Sequence, residues 1–173
     1  MAEKDRKKKQ IRLLQDNLLS IRKIAGLTAE KLGEKIGVTK QTILNLENGK
    51  TELTFPHYLA IRTMLDYEIE QNPENTALAQ VVEVMDILVA NDVDPKNENY
   101  VEVRDVVDTV AASASTGKED ASLAKILSNL LSSPATKSAL IALGVILIQA
   151  GGMTLISKST FSGAASWLKK IMK

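Results

Sequence analysis

The segment Gly26–Thr51, GLTAEKLGEKIGVTKQTILNLENGKT, constrains the fold of this chain more than any other. Thr28 suits an N-cap, where its hydroxyl meets amides that a first helical turn leaves unpaired. Leu32 and Ile36 fall four apart, on one face of the helix that follows. Gly37 ends that helix, because glycine adopts positive φ at no steric cost. Thr39 is a second N-cap. Ile43 and Leu46 turn one face of the next helix inward and leave Lys40, Gln41, Thr42 and Asn45 outward, and Gly49 closes it. Gly33 acts through size: a small residue there lets the two helices cross closely. The spacing predicts two short helices joined by a tight turn, the second with a free polar face.

A small residue at 33, glycine at 37 and apolar residues at 43 and 46 are what a helix-turn-helix geometry demands. On GLT, EKLGEKIGVTKQTI and LENGKT, the stretch from about Leu13 to Ile69 resembles the Cro/C1-type (XRE) helix-turn-helix domain of phage repressors and bacterial regulators. The resemblance covers about a third of the chain. It departs at Ala29, where a Gln is common and a phosphate contact is lost with it; at Gly33, where Ala is usual; and at TELTF, where many members carry a Pro.

The resemblance implies DNA binding, with the second helix entering the major groove by its N-terminal end. Lys40 and Gln41 would then lie nearest the bases. Gln can bond adenine in bidentate fashion, and Lys can donate to guanine O6 and N7. Thr42 and Asn45 share that face, Asn45 one turn on from Gln41. Thr28, Thr39, Asn48, Lys50 and Thr51 are the expected phosphate contacts, which position a protein without reading sequence. Arg22 and Glu47 are implied to form a partly buried ion pair tying the first helix to the recognition helix. The plainer alternative makes the same polar residues the solvated face of a protein-binding module.

Composition narrows the rest. Of 173 residues, 45% are apolar but only 3% aromatic, which favours helices filled by Leu, Ile, Val and Ala. The absence of cysteine excludes disulfides and thiolate metal sites. The N-terminus is charged and lacks the apolar run of a signal peptide, so a cytoplasmic location is expected. The net charge of +1 hides strong segregation. Residues 1–72 carry 13 Lys and Arg against 10 Asp and Glu, residues 73–120 carry 3 against 11, and residues 121–173 carry 6 Lys and no acid. Blocks of this kind suggest parts with different surroundings.

In chain order, residues 1–10 read as a basic arm that attracts phosphate by counterion release, or as a solvated terminus. A helix is expected over Ile11–Ala25 with Leu14, Leu18, Ile21 and Ile24 inward, and another over Phe55–Glu70. His57, the only histidine, has no ligand cluster near it in sequence. Asn72-Pro73 ends the first unit. A helix over Asn75–Ala90 and one opened by Asp94-Pro95 follow, and Val101 and Val103 leave a short strand open instead. Asp92, Asp94 and Glu98 lack the spacing and glycine of a calcium loop. Thr116–Glu119 has capping-box form, opening a helix with the stripe Leu123, Ile126, Leu127, Leu130 and Leu131.

Ser133-Pro134 starts a further helix, and Ser138–Ser157 then runs twenty residues without a charge. Such a run is long enough to span a bilayer. If Gly151-Gly152 stops the helix, it suits a buried core instead. Phe161–Lys173, with Trp167, is cationic and amphipathic and could lie at a membrane interface.

Together these features predict an all-α protein: a basic arm (1–10), a helix-turn-helix domain (11–72), an acidic helical linker or oligomerisation hairpin (73–115) and an apolar helical region (116–173). The expected function is sequence-specific DNA binding to regulate transcription, as a homodimer paired through the C-terminal helices, with no cofactor or metal. Two alternatives stand beside it. One is a scaffold or tether on the inner face of the membrane, anchored by residues 138–173. The other is the antitoxin of a toxin–antitoxin pair, with the acidic middle binding a basic partner. No nucleophile–base pair, metal cluster or phosphate loop points to an enzyme.

Overall fold

The structure, a computed structural model, describes residues 2–115 and 120–157. The described residues are almost entirely helical: α1 (Ala2–Ile24), α2 (Ala29–Ile36), α3 (Lys40–Glu47), α4 (Phe55–Gln71), α5 (Thr76–Ala90), α6 (Glu98–Ser115), α7 (Asp120–Leu131) and α8 (Pro134–Ala142), then strands β1 (Leu147–Ala150) and β2 (Met153–Ile156). The capping-box residues Thr116–Glu119 and the segment Phe161–Lys173 lie outside the described residues.

Helix α1 is the spine of the molecule. Leu13, Leu14, Leu18, Ile21 and Ile24 are all buried along it. Leu13, Leu14 and Ile21 meet Tyr58 and Leu65 of α4 together with Val82, Met85 and Val89 of α5 around one small gap. Each such side chain contributes about 1.5–3 kcal/mol on burial. A second contact surface is polar: Asn17, wholly buried, donates to Leu13 O at 2.8 Å and to the Tyr100 hydroxyl of α6 at 2.6 Å. Ser20 Oγ donates to Asp108 of the same helix at 2.5 Å. Asn75 joins α1 to α5, donating to Ile24 O at 2.8 Å while its Oδ1 accepts from Leu78 N at 3.0 Å. One residue thus ends one helix and caps the next. The acidic stretch therefore supplies two helices, α5 and α6, that pack on α1, and one apolar core runs from Leu13 to Ile156.

Four expectations change. The helix expected from Ile11 begins at Ala2, so residues of the basic arm are helical; Lys, Arg and Gln lose little side-chain freedom in a helix, and Lys9 pairs with Asp92 at 3.2 Å. Val101 and Val103 lie in α6, which begins at Glu98, three residues after Pro95. Asp94 and Asn97 instead turn the chain, accepting from the backbone amides of Lys96 and Asn99, both at 2.9 Å. The helix from Pro134 stops at Ala142, where Gly144 takes φ +84. Finally, Gly151 and Gly152 do not end a helix. Both have positive φ and form the two-residue turn of an antiparallel hairpin, the conformation that suits the twist of paired strands. Ser138–Ser157 is thus part helix and part hairpin, and no helix among the described residues is long and apolar enough to cross a membrane.

Candidate nucleic-acid interface

Helices α2 and α3 are set by their caps. Thr28 Oγ1 accepts from Lys31 N at 3.1 Å, and Thr39 Oγ1 accepts from Thr42 N at 3.1 Å. Between them Gly37 sits at φ +77, and the amide of Val38 closes the first helix on Gly33 O at 2.9 Å. Leu32, Ile43 and Leu46 are fully buried. They hold α2 against α3 and turn the polar face of α3 outward.

On that face Lys40 and Gln41 are exposed, while Thr42 and Asn45 are half-buried. Gln41 Nε2 donates to Asn45 Oδ1 at 3.0 Å, so the two amides are fixed relative to each other. This leaves the Gln41 carbonyl and the Asn45 amino group turned to other partners, an acceptor and a donor side by side. Thr28, Thr39, Asn48, Lys50 and Thr51 are all exposed around the same two helices. Lys50 N and Thr51 N both donate to Asn45 O, at 2.9 and 3.3 Å, folding the loop back on the end of α3. The nine residues therefore lie at the starts of α2 and α3, along α3 and just past its end.

Beneath them, side chains of α1 hold α3 by polar contacts. Arg22 Nε donates to Glu47 Oε1, Arg22 Nη2 donates to Glu47 Oε2 at 3.0 Å, and Arg22 Nη1 reaches Leu27 O at 2.8 Å. The pair is bidentate, with the Glu47 side chain only 2% exposed, so neither charge can lose its partner cheaply. A second anchor has no sequence signature. Gln15 of α1 donates to Leu46 O at 2.9 Å and Thr51 O at 2.7 Å, and accepts from Leu53 N at 3.0 Å. It clamps both ends of the loop that follows the second short helix. Lys35 is drawn the other way: it binds Glu68 at 2.7 Å and lies over the Tyr67 ring, a hydrogen bond that raises its pKa. Ala29 is buried, so that position faces the core. Among the described residues, no cluster of His, Cys, Asp or Glu could hold a metal ion. His57 hydrogen-bonds its own cap residue, Thr54, at 3.1 Å.

The helix-turn-helix family model matches residues 18–72, which span the end of α1 through α4. No curated protein and no solved structure matches the chain. The chain carries at residues 18–72 a helix-turn-helix domain of the Cro/C1 (XRE) type, a non-catalytic DNA-binding module.

Proposed function

We propose that this protein is a sequence-specific transcriptional regulator that reads the DNA major groove with residues 39–48. The observation that carries the reading is the outer face of α3. Its exposed Lys40 and Gln41 stand at the N-terminal end of a helix fixed by the Arg22–Glu47 and Gln15 contacts. Lys40, Gln41, Thr42 and Asn45 take the base edges, with Gln41 and Asn45 acting as one hydrogen-bonded unit. Thr28, Thr39, Asn48, Lys50 and Thr51 take phosphates and set the register. Residues 1–10 add sequence-independent attraction to the backbone, which weakens with salt. Residues 11–72 form the DNA-reading unit, residues 73–115 brace it, and residues 116–173 pair two copies on a two-fold operator. The two half-sites then lie about 34 Å apart, one turn of DNA, or a multiple of it.

The test is selection from a random duplex library with the full chain, then affinity for the selected site. Lys40→Ala with Gln41→Ala is expected to weaken that site by roughly 10²–10³-fold, at about 1–3 kcal/mol for each base contact. The circular dichroism spectrum should be unchanged. Undiminished affinity in the double variant would discard the assignment.

A further inference from the structure

Among the described residues, the β1–β2 hairpin is closed on one side and open on the other. Its register pairs Leu147 with Ile156, Ile148 with Leu155, Gln149 with Thr154 and Ala150 with Met153. Ser157 N donates to Ile146 O at 2.7 Å, which makes 146 and 157 a hydrogen-bonded pair. In an antiparallel ladder such pairs alternate, so 148/155 and 150/153 bond as well. The peptide groups of Leu147 and Gln149 therefore point away from β2, and those of Thr154 and Ile156 point away from β1. On the β2 side the fold supplies partners: Thr154 N donates to Ser128 Oγ of α7 at 2.8 Å, and Ile156 N to Gln80 Oε1 of α5 at 3.2 Å. On the β1 side, no described residue bonds the amides of Leu147 or Gln149.

The outer face of the hairpin is apolar too. Thr154 and Ile156 face the core, so the pleat places Ile146, Ile148 and Leu155 on the other face. Ile146 is 67% exposed and Ile148 44%. Proteins usually protect an open edge with lysine, proline or a bulge. Here Ser138–Ser157 contains none of the charged residues and no proline. The other apolar stripe of this region is already used, since Leu123, Leu127 and Leu131 of α7 are buried within the chain.

We propose that the β1 edge is the docking surface for a second copy of this chain, pairing antiparallel into a four-stranded sheet. An uncharged edge without cations does not suit nucleic acid, whereas an identical strand meets it without charge repulsion. The bond pattern is also self-complementary. With a two-fold axis at Ile148, Leu147 exchanges both backbone bonds with Gln149 of the second copy, and Gln149 does so with its Leu147. The two Ile148 side chains then face each other in the close, non-hydrogen-bonded position, and Ile146 faces Ala150. For its biological use this pairing rests on the two-copy reading above; its geometry stands on the hairpin alone.

Sedimentation equilibrium of the full chain without DNA tests the pairing. The wild type is expected at twice the 18.8 kDa chain mass, and Ile148→Lys at the chain mass with an unchanged circular dichroism spectrum. The chain has no cysteine, so Ile148→Cys introduces a single thiol. Opposed residues of this kind have Cβ atoms about 4.5 Å apart, and mild oxidation should link two chains. A thiol at the exposed Lys96, Lys96→Cys, should not link them. Three results overturn the proposal: a wild type at single mass, an Ile148→Lys variant that keeps double mass, or equal linking at both thiols. A single-mass wild type that pellets with phosphatidylglycerol vesicles, and is released by Ile148→Lys, assigns the face to lipid and overturns it likewise. Failure of the DNA reading shows separately, as no selected duplex with the mass unaffected.

Discussion

A Cβ built on Gly33 would lie 2.6 Å from Val38 O and 3.2 Å from the carbonyl carbon of Thr39. Both are backbone atoms of the turn between the two short helices, so neither can rotate aside. Alanine raises helix propensity by up to about 1 kcal/mol, but overpacking costs about 1–3 kcal/mol. The clash should win, and Gly33→Ala is expected to lose about 1–2 kcal/mol in urea unfolding, within the same range. A variant as stable as wild type would show that the turn yields. The need for a small residue at 33 is legible from the spacing, because it follows from two helices crossing. That even a methyl group is too large is not legible, since it depends on where the Val38 carbonyl points. Gln15 is the harder case. A polar residue on a first helix reads the same whether it faces water or clamps Leu46, Thr51 and Leu53.

Between elements, the seam of α4 and α5 contains a charge cluster whose balance depends on pH. Arg62 Nη2 bonds Asp86 at 2.9 Å and lies 3.7 Å from Asp66. Burial pushes the Asp86 carboxyl up to about 6; Arg62 opposes the shift, while Asp66 and Glu83 add to it. The folded pKa is raised, so between about pH 4 and 6 the folded chain holds a proton that the unfolded chain releases. The contribution of this group to stability is therefore present at the acid end and is lost as pH rises through about 6. Asn does not titrate, so Asp86→Asn should gain on wild type by a few degrees in melting temperature between pH 4 and 7, with the gap flat above that. A gap that narrows over this range would contradict the account. The Arg62–Asp86 bond joins residues 24 apart in sequence, and no periodicity shows it. The hairpin was hidden for a related reason. An apolar run such as VILIQAGGMTLI has no period that separates strand from buried helix, and its glycine pair marks a boundary without naming the element.

At the scale of the molecule, α1 has two clients. One side serves the helix-turn-helix, through Arg22 to Glu47 and Gln15 to Leu46 O. The other side belongs to α5 and α6, through Asn17 to Tyr100, Ser20 to Asp108, and Ile24 O to Asn75. The break at Asn72-Pro73 is legible in sequence because proline disfavours helix before it. The shared use of α1 is not, because an amphipathic pattern shows that a face is buried and not against which helix. Cutting after Asn72 would bare Leu13, Leu14 and Asn17 where Val82, Met85 and Tyr100 now cover them. With about 1.5–3 kcal/mol per large apolar side chain, a few such losses match the whole stability of a small domain, about 5–15 kcal/mol. The fragment 1–72 is therefore expected to show no cooperative thermal transition and no affinity for the duplex selected by the full chain. If it instead melts cooperatively and binds that duplex, the DNA-reading unit is autonomous and the contacts of α1 with α5 and α6 are dispensable. If it fails as expected, the helix-turn-helix depends for its fold on the cover that α5 and α6 give α1, and DNA affinity becomes a property of more than residues 1–72.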